Sequence, residues 1–565
     1  MLTRRAVTLS SLLFLGPKVA LGQVKTSKVS AVGRFGAQTH LGHAAGSTAT
    51  LDTARSLDLL PSLIRDEVFW NRLEPQLGQY DWTYADAYMG AISRSGAKLI
   101  LELTFSNALY TPKGDHAFPD TDEARAGFAR YGMALLDRYA HPETGLYPGL
   151  IVAIEVWNEA NGSFGGGYTP RQVAPLLTAL TKSVHDAVRA VPAYDDIQIL
   201  GGACVGVPMG FIGWCFDAGL GDLIDGLAVH PYGSAEKLQT NTAALRQWLD
   251  DRGYARIGIW ATEFGNLTAA GDLTKLMASC RLSPILHASY YLLQSTPEFS
   301  SGLIDAKGSL TEVGKAWRFW LPLLSQATPQ GGVSRQPKTY ALKFSSPDAG
   351  SFVIAWAQWG QSVLKVSGAS KVVGPTGEPM AVRDQYVVGA DPIAIFGGQV
   401  SEEMPYGEVV ADAFSDFSTT QGYRGWTYMV LSNGVLADMS VSVVDQNGPI
   451  WTITDAPFLK IAADSQHPSI KQSQALASVR RYRFASDQTC RIMGQWARGA
   501  GGDGTEVAIA VGGEKIFDSV IRGQMVAFDK TIAVKAGQFA DFSCEAAGGT
   551  MDFDEVKLFA TIYRV

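Results

Sequence analysis

Two glutamates stand in settings suited to carboxylate chemistry. Residues 151–161 read IVAIEVWNEAN and carry Glu159 just beyond an apolar, β-branched run. Residues 257–265 read IGIWATEFG and place Glu263 at the end of a second such run. Cleaving a glycosidic bond needs this supply: one carboxylic acid protonates the leaving oxygen, and one carboxylate attacks or activates water from the opposite side of the sugar. A lone glutamate at a strand end is common. Two of them, one preceded by Trp157-Asn158 and the other by Trp260-Ala261-Thr262, narrow the field. The Asn158 amide can hydrogen-bond a sugar hydroxyl next to the cleaved bond, a contact that strengthens as charge develops.

Residues so far apart in sequence need a scaffold that brings them together. From residue 30 to 326 the chain alternates short apolar runs with amphipathic stretches. The expected strands are Phe35–Thr39, Ser62–Asp66, Ala97–Thr104, Leu150–Val156, Ile197–Gly201, Gly226–His230, Gly258–Thr262 and Ala288–Leu293. Helical patterns lie between them, at Asp122–Tyr139, Pro170–Ala190, Ala235–Arg252 and Leu273–Ala278. This alternation predicts a parallel sheet, and eight units predict a (β/α)8 TIM barrel, whose strand C-termini carry the site. Glu159 and Glu263 then follow the fourth and seventh strands. A doubly wound sheet would want a Gly-rich first turn, and none is present.

At 565 residues the chain exceeds one hydrophobic core. After Pro329 short β-rich runs separated by Gly and Pro predict a small β domain over 327–399 and a β-sandwich, of jelly-roll type, over 400–565. The fold class is therefore α/β, a TIM barrel followed by all-β domains. Residues 1–22 have the basic, apolar and small-residue zones of a signal peptide, with Arg4-Arg5 suggesting a twin-arginine type, and predict export to the periplasm or outside the cell. The later sequence shows no integral membrane segment. A net charge of −7 with no basic stripe argues against nucleic acid. The eight histidines show no HExxH or HxH pattern, so neither metal nor cofactor is expected. Of five cysteines, Cys490 and Cys544 are a candidate disulfide in an exported chain. Asp503, Asp552 and Asp554 could offer oxygens to calcium, or simply be solvated loop residues.

Trp157-Asn158-Glu159 and Thr262-Glu263-Phe264 resemble the signatures of glycoside hydrolase clan A, nearest to family 39 and related bacterial exopolysaccharide hydrolases. The likeness spans roughly residues 34–325. It includes the Trp70-to-Pro75 segment (WNRLEP), the end of the sixth strand at His230-Pro231-Tyr232, and Gly302 to Gly308 (GLIDAKG). Asn158-Glu159-Ala160-Asn161 departs from the commoner Asn-Glu-Pro. The resemblance implies that Glu159 is the acid/base and Glu263 the nucleophile of a retaining, double-displacement hydrolase of β-linked exopolysaccharide or hemicellulose. It further implies that Arg65 holds the nucleophile ionised, that Tyr232 hydrogen-bonds it, and that His230 is the neighbour of Tyr232 on the same strand.

Sugars stack on aromatic rings, and Trp70, Phe164, Tyr168 and Tyr291 are candidate substrate platforms, each either core or subsite. Phe164 and Tyr168 flank Gly165–Gly167, a loop that could cover substrate or merely cross the surface. Tyr423, Trp426, Tyr428 and Tyr482 in the sandwich could bind glycan or pack inward. A transglycosylase on the same fold, or a non-catalytic glycan-binding or export accessory protein, are the competing readings. The oligomeric state is not legible.

Overall fold

The computed structural model describes residues 33–43, 48–111, 114, 117–404, 406–442, 448–454 and 456–565. The expected signal peptide, residues 1–22, lies outside them. Eight parallel strands close into a barrel in sequence order. They are β1 (Phe35–Gln38), β2 (Leu63–Phe69), β3 (Lys98–Thr104), β4 (Ile151–Val156), β5 (Gln198–Val205), β6 (Gly226–His230), β7 (Gly258–Gly265) and β8 (Ile285–Tyr291). β1 pairs with β8 to shut the ring. Strands covered on both faces must be apolar or paired throughout, and β7 is buried at every position.

The barrel interior is filled by Leu63, Ile100, Ala153, Leu200, Ala228 and Trp260. Trp260 is therefore core. A Cβ on Gly226 would sit 2.5 Å from the Trp260 indole nitrogen, so β6 must carry a glycine where the ring crosses it. Outer helices start on side-chain caps. The Thr121 hydroxyl accepts from Ala124 N at the start of α1 (Asp122–Tyr139), and Ser234 from Lys237 N at the start of α2 (Ala235–Asp251). Each cap satisfies an orphan N–H of the first turn.

The expected strand at Ala288 starts earlier, at Ile285. His287 disguises it, because its imidazole is fully buried between the Gly33 carbonyl and the Ser289 hydroxyl. β2, β5 and β7 run past their expected ends. The added residues bring Glu67 and Glu263 into the site and Val68 and Phe264 into the core, with Phe69 half-buried at the end of β2.

A helix, α3 (Glu312–Gln326), leads into a seven-stranded antiparallel sheet. Phe344, Phe352, Ile354, Trp356 and Phe396 join one face of that sheet to the barrel's own core. Its other face has a separate small core around Leu364, Val372 and Ile395. The strand Ile393–Glu402 runs through the expected boundary between 399 and 400. Just before it, Gly397 and Gly398 have positive φ and lie beside the bulge that the partner strand makes at Ser370, so they continue the sheet rather than link two domains.

Residues 408–565 form two facing antiparallel sheets. Trp426, Tyr428 and Tyr482 are buried between them, so these candidate glycan-binding rings are core; Tyr423 alone of the four is exposed. Cys490 and Cys544 are unpaired thiols on strands of opposite sheets. Asp554 is buried against the Arg498 guanidinium at 3.0 Å, so it is an ion-paired residue of the sandwich rather than a solvated loop carboxylate. No helix among the described residues is long and apolar enough to cross a membrane.

Candidate active site

The C-terminal ends of β2, β4, β6 and β7 converge on a cluster of buried charge. Arg65, on β2, is fully buried. One guanidinium nitrogen donates to Glu263 Oε1 at 2.8 Å and to Gln38 Oε1 at 2.9 Å. The rest of the fork donates to both oxygens of Glu155 on β4, at 3.0 and 2.9 Å, and meets Glu102 on β3 at 2.9 Å. Arg65 also reaches the Asn158 side-chain oxygen at 3.3 Å, which fixes the asparagine beside Glu159. A rigid fork of five donors is suited to this task, and an ammonium is not.

Glu263 receives a second bond from the Tyr232 hydroxyl at 2.6 Å. Burial pulls its carboxyl up. The charge of His230, the charge of Arg65 and the tyrosine hydrogen bond outweigh burial, and the net is a pKa below the ordinary 4.5. Glu155, buried yet gripped by Arg65 and faced by His230, falls to about 2. Glu102 goes the other way. Burial, aided by the repulsion of Glu67, Glu155 and Glu263, outweighs Arg65 and raises its pKa well above the ordinary 4.5.

Glu159 does not lie on β4 but three residues past it. Trp157 and Glu159 both have positive φ, 67° and 43°. Such backbone persists only when its surroundings over-determine it. Here the Trp157 indole donates to the Phe164 carbonyl at 2.9 Å, Glu159 N donates to Ala203 O at 2.8 Å, and Asn161 bonds both backbone groups of Val205. The turn swings the Glu159 carboxylate over the mouth, where its side chain keeps 19% exposure against 8% for Glu263.

His230 stands between the two glutamates. Its Nδ1 lies 2.8 Å from Glu159 Oε1 and 3.5 Å from Glu263 Oε2. Its Nε2 is 3.8 Å from Glu155 Oε1, an ion-pair contact too long for a hydrogen bond. Burial lowers the proton affinity of this ring, but three surrounding carboxylates raise it to a pKa of about 10. Glu159, His230 and Glu263 offer oxygen and nitrogen atoms that all lie within 4.8 Å of one another.

The aromatic candidates separate. Trp70 is fully buried, bonded to Glu74 and stacked on Tyr110 at 4.7 Å, so it is core and not a sugar platform. Phe164 is half-buried and stacks on Phe105 at 4.8 Å. Tyr168 lies away from the glutamates, its hydroxyl on Asp120 at 2.6 Å, lining a cavity of about 630 Å³ with Tyr110 and Phe118. Tyr291 ends β8 at the mouth, its hydroxyl 3.0 Å from His40 Nε2 and its ring 5.3 Å from Phe299.

Glu102, Glu155, Gln38, Phe299 and the His40–His43–Glu67 group are neighbours of the site that sequence reasoning passed over. Glu102 and Glu155 were legible in principle: a charged residue inside an otherwise apolar strand must be paired. Phe299 sits in a loop with no pattern to flag it.

No protein-family model matches the chain, and no curated protein matches it in sequence. Solved structures are similar to it at low identity. A glucosidase from Croceicoccus marinus is 13% identical with TM-score 0.44, over 94% of this chain and 97% of that one. A glycoside hydrolase family 30 subfamily 8 xylanase from Clostridium acetobutylicum is 14% identical with TM-score 0.44, over 66% and 96%. Endo-glycoceramidase II from Rhodococcus sp. is 16% identical with TM-score 0.39, over 64% and 96%.

Proposed function

We propose that this chain is an exported retaining glycoside hydrolase, of clan A type, acting on a β-linked exopolysaccharide or hemicellulose. The observation that carries the reading is the approach of Glu159 and Glu263 oxygens to within 4.8 Å at the barrel mouth. Retaining enzymes keep their carboxyl groups ~5–5.5 Å apart, whereas inverting ones leave ~6.5–9.5 Å for a water.

Glu263 is the nucleophile. Arg65, Tyr232 and His230 keep it ionised, and the hydroxyl and guanidinium fix both its oxygens. Glu159 is the acid/base, on the more exposed side of the pair where a leaving group departs. In the first step Glu159 gives its proton to the glycosidic oxygen as Glu263 bonds the anomeric carbon, and the leaving sugar departs as an alcohol. In the second, Glu159 takes a proton from water. The resulting hydroxide attacks the anomeric carbon and frees Glu263. His230, bonded to Glu159 and close to Glu263, orients the acid between the two steps. The Asn158 amide contacts the sugar beside the cleaved bond.

Glu263→Gln abolishes turnover while substrate still binds. Glu159→Ala costs ~10²–10⁴ in rate, the usual span of a general acid, and much less on an activated aryl glycoside that leaves without a proton. A fluorosugar that traps the covalent step labels Glu263, read by peptide mass. Near-normal turnover by Glu263→Gln on a good substrate, or label on another residue, overturns the assignment.

A further inference from the structure

We propose that His40, His43 and Glu67 form a binding site for one divalent transition-metal ion, Zn²⁺ by ligand type, at the barrel mouth beside the glutamate pair. The three side chains come from two elements: the turn after β1 carries His40 and His43, and β2 carries Glu67. One carboxylate oxygen, Glu67 Oε1, faces both rings. His40 Nδ1 lies 2.8 Å from it, and His43 Nε2 is in still closer contact. All three ligand atoms fall within 4.8 Å of one another. Donors on one zinc at bond lengths of ~2.0–2.2 Å can be at most ~4.2 Å apart, so small rotations bring this set onto an ion. Two imidazoles and one carboxylate are the donor types of open zinc sites, where a fourth position stays free.

The outer contacts have the form such sites need. A ligating histidine usually hands its second nitrogen to a fixed partner, which sets the ring and its tautomer. His40 does so, with Nε2 3.0 Å from the Tyr291 hydroxyl. The second oxygen of Glu67 accepts from the Gln38 amide at 2.8 Å, which leaves Oε1 to the histidines. The His43 ring packs edge-on against Phe69 at 5.0 Å, and its side chain retains 42% exposure, which gives an ion a route in. Neither histidine nor Glu67 takes part in the glycosidic chemistry above. The site therefore stands or falls independently of that reading.

The test uses the full chain, stripped with a chelator and then titrated without substrate. Zn²⁺ binding is followed by calorimetry, and Co²⁺ binding by its visible absorption. The expected result is one ion per chain, with Co²⁺ bands of a low-coordinate nitrogen and oxygen site. His43→Ala, at a half-exposed position, lowers the affinity at least tenfold while circular dichroism is unchanged. Tyr291→Phe, which removes only the outer partner of His40, weakens binding by ~10–100-fold. Absence of saturable binding overturns the proposal, as does binding that His43→Ala leaves undiminished.

Discussion

At the scale of single residues, the decisive group is Arg65. It is the nearest cation to three buried acids, and its removal leaves Glu155 and Glu263 with His230 as their remaining counter-charge. Deleting one partner of a buried pair costs ~3–5 kcal/mol, so Arg65→Met is expected to lower the unfolding free energy read from urea titration by that amount and to lose activity. Arg65→Lys recovers only part of it, because one ammonium cannot serve a bidentate contact and a second carboxylate together. The pH profile reports Glu263 in the same way. Its pKa is depressed below 4.5, and as the proposed nucleophile it must be ionised to attack. The acid limb set by Glu263 is therefore expected below pH 4.5. Tyr232→Phe removes a donor to the carboxylate, raises that pKa, and moves the limb upward in kcat/KM. An unmoved limb would show that the hydroxyl does not act through Glu263. Among these residues, the Glu159 and Glu263 motifs stand out from the sequence by composition alone. Arg65 and Tyr232 needed the resemblance, since a single arginine or tyrosine has no local signature. Glu102 and Glu155 were read as strand residues, because their partner is remote in sequence.

At the scale of elements, the site depends on strands that end in irregular backbone. The segment after β4 places Glu159 through two positive-φ residues, held by an indole and by the backbone of β5. Apolar periodicity locates β4 and places Glu159 just beyond it, but it is blind to the turn that aims the side chain. The barrel wall beneath shows the opposite character, tight and regular. At Gly226 an added methyl would lie 2.5 and 2.6 Å from the Trp260 ring and 2.7 Å from Leu200 Cδ2. Gly226→Ala is expected to destabilise by ~1–3 kcal/mol through overpacking, measured by chemical denaturation. A neutral outcome would mean that Trp260 has room to move, and that β6 and β7 are less rigidly set than the distances imply.

At the scale of the whole molecule, the seven-stranded sheet behaves as part of the barrel rather than as an appendage. Trp356 is fully buried, stacks on Tyr340 at 5.0 Å, and donates its indole N–H to Glu236 in the first turn of α2 at 2.7 Å. The Trp320 indole of α3 donates to the Pro375 carbonyl at 2.7 Å. Barrel and sheet are thus expected to unfold in one calorimetric transition. Trp356→Ala should lower that transition as a whole, by the ~3–5 kcal/mol typical of a buried tryptophan. Two separate endotherms for barrel and sheet would contradict the shared core. The sandwich meets α2 through the Lys237–Asp464 pair at 2.9 Å, a contact between a polar helix face and a strand end. Composition marked residues after 329 as β-rich, yet it could not show that one sheet face joins the barrel core. Alternating apolar residues look the same whichever partner buries them.

The amino-acid sequence by itself determined the alternation of strands and helices, and with it the closed barrel, the place of Glu159 just past the fourth strand and that of Glu263 near the end of the seventh. These follow from short-range periodicity, which every window of the chain carries. Tertiary structure alone decided which acids share Arg65, which glutamate is bent over the mouth, that Trp70 and the sandwich aromatics are core, and that two histidines meet Glu67. Each of these depends on distances between residues tens to hundreds of positions apart. Burial and charge neutralisation act on such distances in space, and no local pattern encodes them.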